Sequence, residues 1–167
     1  MFLPPCEGQA GGPPSRSSGD PVLFVITGPP GAGKSSWIRA HAKPEDIVID
    51  FDLIALAMAG PGADHHDHSQ TLEKIVHRAR FAAMHEAFRH LDTTDVYLIN
   101  TMPSAKAMAQ FKRLGARIVT VDPGEAVVRQ RVRDMRQPRM EAVVTRWYRQ
   151  HRRGQSRPVT AQRSRSW

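Results

Sequence analysis

The chain has 167 residues, the size of one domain, and a formal net charge of +8. A single cysteine, Cys6, excludes a disulfide framework and a cysteine-based zinc site, and suggests a reducing, cytoplasmic setting. No apolar run approaches the ~20 residues of a membrane span, so no membrane partner is expected.

The basicity is local. From Arg129 to Trp167 there are twelve arginines against Asp134 and Glu141, and the rest of the chain is slightly acidic. Met1 to Asp20 carries four prolines, four glycines and three serines and reads as a disordered leader over residues 1–20. Val22 to Thr27 (VLFVIT) is an apolar, β-branched run that suits a buried parallel strand. The next residues, Gly28, Pro29, Pro30, Gly31, Ala32, Gly33, Lys34 and Ser35, match G-x-x-x-x-G-K-[ST], the phosphate-binding P-loop. With Ser36 they form the expected nucleotide cradle: backbone N–H groups turn toward phosphate oxygens at the positive end of a helix over Lys34 to Ala42. Lys34 is expected at the β- and γ-phosphates, and Ser35 on Mg²⁺.

The elements then alternate. Ile47 to Asp50 is a second strand and Asp52 to Ala59 a short helix, stopped by Gly60-Pro61-Gly62. After a polar loop, Thr71 to Leu91 carries Leu72, Ile75, Val76, Ala79, Ala83, Ala87 and Leu91, a stripe at helical spacing. Val96 to Ile99 is a third strand. A helix capped by Ser104 runs to Gly115, and Ile118 to Val121 is a fourth strand. Helices over Glu125 to Arg136 and Arg139 to His151 complete the order. Such alternation predicts an α/β fold of the P-loop NTPase type, with a parallel sheet of four or five strands and helices on both faces. The ligand belongs at the carboxyl ends of the strands.

Polar residues cluster at those ends. Asp50 and Asp52 flank Phe51 where a strand turns into a helix. Residues i and i+2 of a strand face one side, so both carboxylates could face the site. One could take a proton from an attacking hydroxyl while the other orients it or holds Mg²⁺, with Asp50 and Ser35 as metal-side residues. The alternative for Asp52 is the N-cap of the next helix. Asn100 follows the third strand, where many P-loop proteins carry an acidic residue, and is given a positioning role. His65, His66, Asp67 and His68 read as a solvated loop, with substrate contact or an adventitious metal as alternatives. Arg129, Arg133 and Arg136 share a helix face that could close over the triphosphate as a lid, or could simply be solvated.

In order, GPPGAGKSSW, IVIDFD, LINT, VDPGEAVVRQRVRDMR and PRMEAVVTRWY resemble the P-loop kinases, and among them the kinase domain of polynucleotide 5′-hydroxyl kinases, over about Val22 to Gln150. The resemblance implies an arginine-bearing lid, with Asp52 as general base, Lys34 and Ser35 in the P-loop roles, and Arg129 and Arg133, or their neighbours, as lid arginines. It implies that Trp147 and Tyr148 anchor a helix beneath the lid. One departure stands out: after Asp52 comes Leu53-Ile54-Ala55-Leu56, without the arginine that helps those kinases hold the acceptor. The expected organisation is a leader at 1–20, a kinase domain at 21–152 and a basic tail at 153–167. The expected activity is transfer from ATP, with Mg²⁺, to a hydroxyl of a nucleic acid or nucleoside. The alternatives are a small-metabolite kinase and a non-catalytic nucleotide-dependent nucleic-acid-binding module. The tail reads as a solvated end or as an arm for a polyanion.

Overall fold

The computed structural model describes residues 21–135 and 138–155. The expected leader at 1–20, Arg136 and the tail from residue 156 onward lie outside the described residues. In chain order the elements are β1 (Leu23–Thr27), α1 (Lys34–His41), β2 (Ile47–Ile49), α2 (Phe51–Met58), α3 (Gln70–Ala87), β3 (Val96–Ile99), α4 (Ala105–Arg113), β4 (Arg117–Thr120), α5 (Glu125–Met135) and α6 (Arg139–Gln155). The α6 helix therefore takes in the first three residues of the expected tail. Among the described residues, no helix is long and apolar enough to cross a membrane.

The four strands form one parallel sheet in the order β2-β3-β1-β4, which puts β1 and its following loop at the centre. The register aligns Ile26 with Ile99 of β3 and with Val119 of β4. Side chains alternate across the sheet. Leu23, Val25, Val96, Leu98 and Ile49 point to the face covered by Ala87 of α3 and Phe111 of α4. Ile26 and Tyr97 point to the opposite face, against Ile38 of α1, where Phe24 stacks on Tyr97 with ring centroids 4.8 Å apart. A third cluster joins Ala32 of the loop after β1 to Val128 and Val132 of α5 and to Val144, Trp147 and Tyr148 of α6. That cluster seats the α5–α6 hairpin against the glycine-rich loop, with Trp147 and Tyr148 as its buried aromatics. Truncating a fully buried side chain such as Leu98 to alanine costs about 2–5 kcal/mol in such cores.

Two local expectations are corrected. The cap of α2 is Asp50, whose Oδ1 accepts from the Asp52 amide at 3.1 Å, so the helix begins at Phe51 and Asp52 lies in its first turn. The buried face of α3 keeps Val76 and Ala87 of the expected stripe but is rotated partway from it, leaving Ile75 and Ala83 exposed. Val76 and Ala87 are buried with Met84 and Phe88 beside them, whereas Ile75 is half exposed at 50%. The rotation turns Arg80 inward and Ile75 outward. Ser104 caps α4 as expected, accepting from the Ala107 amide at 3.2 Å.

Candidate active site

The loop from Gly28 to Gly33 is shaped by backbone that side chains would not allow. Gly28 has φ 136°, and a Cβ there would lie 2.1 Å from the Val121 carbonyl oxygen, so the loop is pressed onto the end of β4. Gly33 has φ 97° and opens α1 with no side-chain cap, leaving the first amides of that helix turned toward the loop. Pro29 and Ala32 are buried, and Pro30 and Gly31 are half-buried. Lys34 is buried too. Its Nζ donates to the carbonyls of Gly28 at 2.9 Å and Pro29 at 2.7 Å, so the ammonium lies inside the loop's own concavity. Ser36 faces outward and its hydroxyl accepts from Arg39.

Ser35 is drawn to the other side. Its Oγ donates to Asp50 Oδ2 at 2.7 Å. Asp50 is 4% exposed and sits just past β2, so both of its oxygens are engaged, one by the serine and one by the cap of α2. Asp52 is not beside it on a strand face. It projects from α2 to His66, whose Nδ1 lies 2.9 Å from Asp52 Oδ2. Asn100 lies at the carboxyl end of β3, where its backbone amide donates to the Ile26 carbonyl at 3.0 Å.

The loop between α2 and α3 is therefore not simply solvated. His65 and Asp67 are exposed, but His66 reaches Asp52, and His68 is buried near Phe51 with ring centroids 6.3 Å apart. Asp64 Oδ1 accepts from the amides of His66 and Asp67, and these bonds hold its carboxyl below the usual range. Among the described residues, no three His, Cys, Asp or Glu side chains are grouped to hold a metal ion.

Arg80 is the residue the sequence reading missed. From α3 its Nη2 donates to the Ile99 carbonyl at 2.6 Å, at the carboxyl end of β3. Burial lowers its pKa and the nearby Asp50 charge opposes that shift. Its Nε is buried without a hydrogen bond among the described residues. The signal was present: Arg80 stands four residues after Val76 and three before Ala83, inside an otherwise apolar stripe.

The arginines of α5 divide by face. Arg131 reaches the loop, its Nη1 donating to the Gly31 carbonyl at 3.3 Å. Arg129 turns away and pairs with Glu125 at 2.8 Å, and it also donates to Thr145 of α6. Arg133 donates to Gln130 Oε1 at 2.8 Å. Arg152 joins Arg129 on Glu125, and the hydrogen bond from Arg129 is the first cause of that carboxyl's lowered pKa. The expected lid face of Arg129 and Arg133 is thus not the face beside the loop, which presents Arg131.

The donor set fits a magnesium nucleotide. The loop carries a buried ammonium held by its own carbonyls, it opens a helix whose first amides have no side-chain cap, and at its edge a hydroxyl and a carboxylate are already in contact, both hard oxygen ligands.

A profile of the AAA domain family matches residues 23–156. No curated protein matches the chain. Among solved structures, a chain from the "Structure of Pnkp1/Rnl/Hen1 complex" is similar at 18% identity and a TM-score of 0.48, over 70% of this chain and 40% of that one. The chain thus spans less than half the length of that protein chain.

Proposed function

Since the chain belongs to the AAA domain family and has the P-loop NTPase fold, we propose that it is an ATP-dependent kinase that phosphorylates a hydroxyl of a nucleic acid or nucleoside. The observation that carries this reading is the 2.7 Å contact of Ser35 with Asp50 beside a loop that already holds the Lys34 ammonium. The glycine-rich loop follows β1, and Asp50 and Asp52 follow β2, which is separated from β1 in the sheet by β3; the Ser35 contact with Asp50 bridges the two.

In the proposed step Lys34 and the loop amides hold the β- and γ-phosphates, and Ser35 and Asp50 would hold Mg²⁺. The ion, when bound, would neutralise charge on the phosphates. Asp52 accepts the proton of the acceptor hydroxyl as its oxygen bonds to the γ-phosphorus. The bond from that phosphorus to the β–γ bridging oxygen breaks, and ADP leaves. Arg131, whose Nη1 donates to the Gly31 carbonyl of the loop, would supply the cation that stabilises charge on the transferring group.

The nucleic-acid acceptor is supported by the local basicity: Arg133, Arg139, Arg146, Arg149 and Arg152 are exposed on α5 and α6. The small-metabolite alternative is favoured by α2, which offers Leu53, Ile54, Ala55 and Leu56 after Asp52 and no cation. A cytoplasmic setting is part of the proposal and rests on the lone cysteine.

The test is to follow the label of γ-labelled ATP with Mg²⁺ onto 5′-hydroxyl DNA and RNA oligonucleotides, nucleosides, small alcohols and water. Transfer to oligonucleotides or nucleosides supports the proposal. Transfer to small alcohols alone replaces it with the metabolite kinase. Tight nucleotide binding without transfer replaces it with the binding module.

A further inference from the structure

The loop between α2 and α3 grips the start of α2 at two points. Asp64 Oδ1 takes the amides of His66 and Asp67 at 2.7 and 2.9 Å, a local turn that sets the loop's tip. From that turn His66 Nδ1 meets Asp52 Oδ2 at 2.9 Å, with the two side chains about one-third exposed, at 33% and 30%. Two residues later His68 is buried against Phe51, which also packs on His77 of α3 at 4.8 Å. The residues on either side of Phe51 are the two carboxylates of the site. A polar loop with no apolar periodicity has thus placed a ring nitrogen on one of them and a buried ring near the Phe51 that separates them in sequence.

We propose that His66 is a positioning residue for Asp52. Its Nδ1–H donates to Oδ2, fixes the tautomer of the ring and selects one orientation of the carboxylate. Asp52 lies in the first turn of a helix with its side chain about one-third exposed, and a hydrogen bond to Nδ1 favours the rotamers that reach the ring. Holding it leaves less reorganisation to be done when the acceptor hydroxyl arrives. His66 itself neither gains nor loses a proton in the step. The proposal rests on the reading of Asp52 as the base, and it deepens that reading by naming what aims it.

The test has two arms. Side-chain ¹⁵N NMR of the full chain reports the His66 tautomer without any acceptor. Nδ1–H is expected in the wild type, and that preference is expected to vanish in Asp52→Ala. A His66 signal indifferent to Asp52→Ala overturns the proposal whatever the enzyme does. The second arm compares substitutions at His66 in phosphoryl transfer. The amide nitrogen of Asn falls near the position of Nδ1, and that of Gln near Nε2. His66→Ala and His66→Gln are expected to lower kcat about 10-fold, the loss of one hydrogen bond's worth of positioning, with KM for ATP unchanged. His66→Asn is expected to restore most of that loss. In the D52A background His66→Ala is expected to add nothing. An equal loss in both backgrounds, or a loss that falls on KM for ATP, overturns the proposal. If the NMR coupling is present but the wild type transfers to no acceptor, the kinase reading has failed and the positioning role falls with it.

Discussion

Ser35 and Asp50 are joined by a 2.7 Å hydrogen bond that ties the first turn of α1 to the end of β2. The same carboxylate caps α2 through its other oxygen. Asp50 therefore ties two elements of the fold together and, in the proposed reading, would also hold Mg²⁺, while Asp52 is contacted by His66 of the loop between α2 and α3. That division separates two substitutions that look alike on paper.

Asn caps a helix about as well as Asp, so Asp50→Asn is expected to fold. It loses charge where Mg²⁺ would be held, so the Mg²⁺ concentration needed for half-maximal turnover should rise. Asp52→Asn keeps shape and loses basicity, which for a general base costs roughly 10²–10⁴-fold in turnover. Nucleotide affinity should hardly change. Turnover against Mg²⁺, with nucleotide binding measured separately, distinguishes the two. A mild Asp52→Asn beside a severe loss of maximal turnover in Asp50→Asn would move the base to Asp50.

Lys34→Ala removes the ammonium bonded to the Gly28 and Pro29 carbonyls. Charged hydrogen bonds contribute about 1.5–3 kcal/mol each, so nucleotide affinity should fall about 10- to 100-fold with the far-ultraviolet spectrum retained. Wild-type affinity and turnover in that variant would remove the phosphate cradle from the argument.

Tyr148 gives a pH dependence whose sign can be worked out. Burial, and then its hydrogen bond to Asp122 Oδ1 at 2.6 Å, raise the phenol above its ordinary range. The folded chain holds that proton more tightly than the unfolded chain does. The contribution is therefore whole below about pH 10 and is lost as pH rises from there. Tyr148→Phe should cost about 1 kcal/mol at neutral pH. The gap in thermal stability between wild type and variant should close above pH 10. A gap that stays constant to higher pH would mean that the hydroxyl is not what couples α6 to the segment after β4.

Residues 156–167 contain Arg157, Arg163 and Arg165, with Trp167 as their one aromatic. Deleting them removes at most three phosphate contacts. The salt slope of oligonucleotide binding should shrink by up to about 0.7 per contact on single strands, with little change in base preference. Transfer to a nucleoside should be unaffected. An unchanged slope would favour the small-metabolite acceptor.

The central strands and the loop after β1 were legible because their signals are local: apolar β-branched runs, and a glycine spacing that admits few backbones. The site's cross-chain contacts were less so. Two aspartates flank Phe51 and either could cap a helix, so the sequence alone did not say that the strand stops at Ile49. His66 lies in a loop without periodicity, and nothing local announces its partner. Arg80 was visible as a cation in an apolar stripe, but the stripe was read to include Ile75 and Ala83, which are exposed, whereas the face that holds Val76 and Ala87 also takes in Arg80 and Met84.

The arginines of α5 make the sharpest contrast between spacing and placement. Three-to-four spacing groups Arg129 with Arg133 but does not say which face meets the loop. Val128 and Val132 do, because both are buried with Ala32, and Arg131 lies beside that seam. A Cβ added at Gly31 would lie 3.5 Å from Arg131 Cβ, and one at Gly33 would lie 3.8 Å from its Nη1, so the side chain spans the loop. Arg131→Ala should lower turnover about 10²–10³-fold, the usual effect of removing one preorganised donor from a charged transition state. Arg131→Lys should recover only part of it, since the ammonium lacks the guanidinium fork. Arg129→Ala breaks a partly exposed pair with Glu125, for which about 0.2–1 kcal/mol of stability is typical, and should leave turnover near wild type. Arg133→Ala should do the same. Measuring kcat and thermal stability for the four variants decides between the faces. If Arg129→Ala or Arg133→Ala is severe and Arg131→Ala is mild, then α5 must turn about its axis when nucleotide binds, and the contact with Gly31 is an open-state feature.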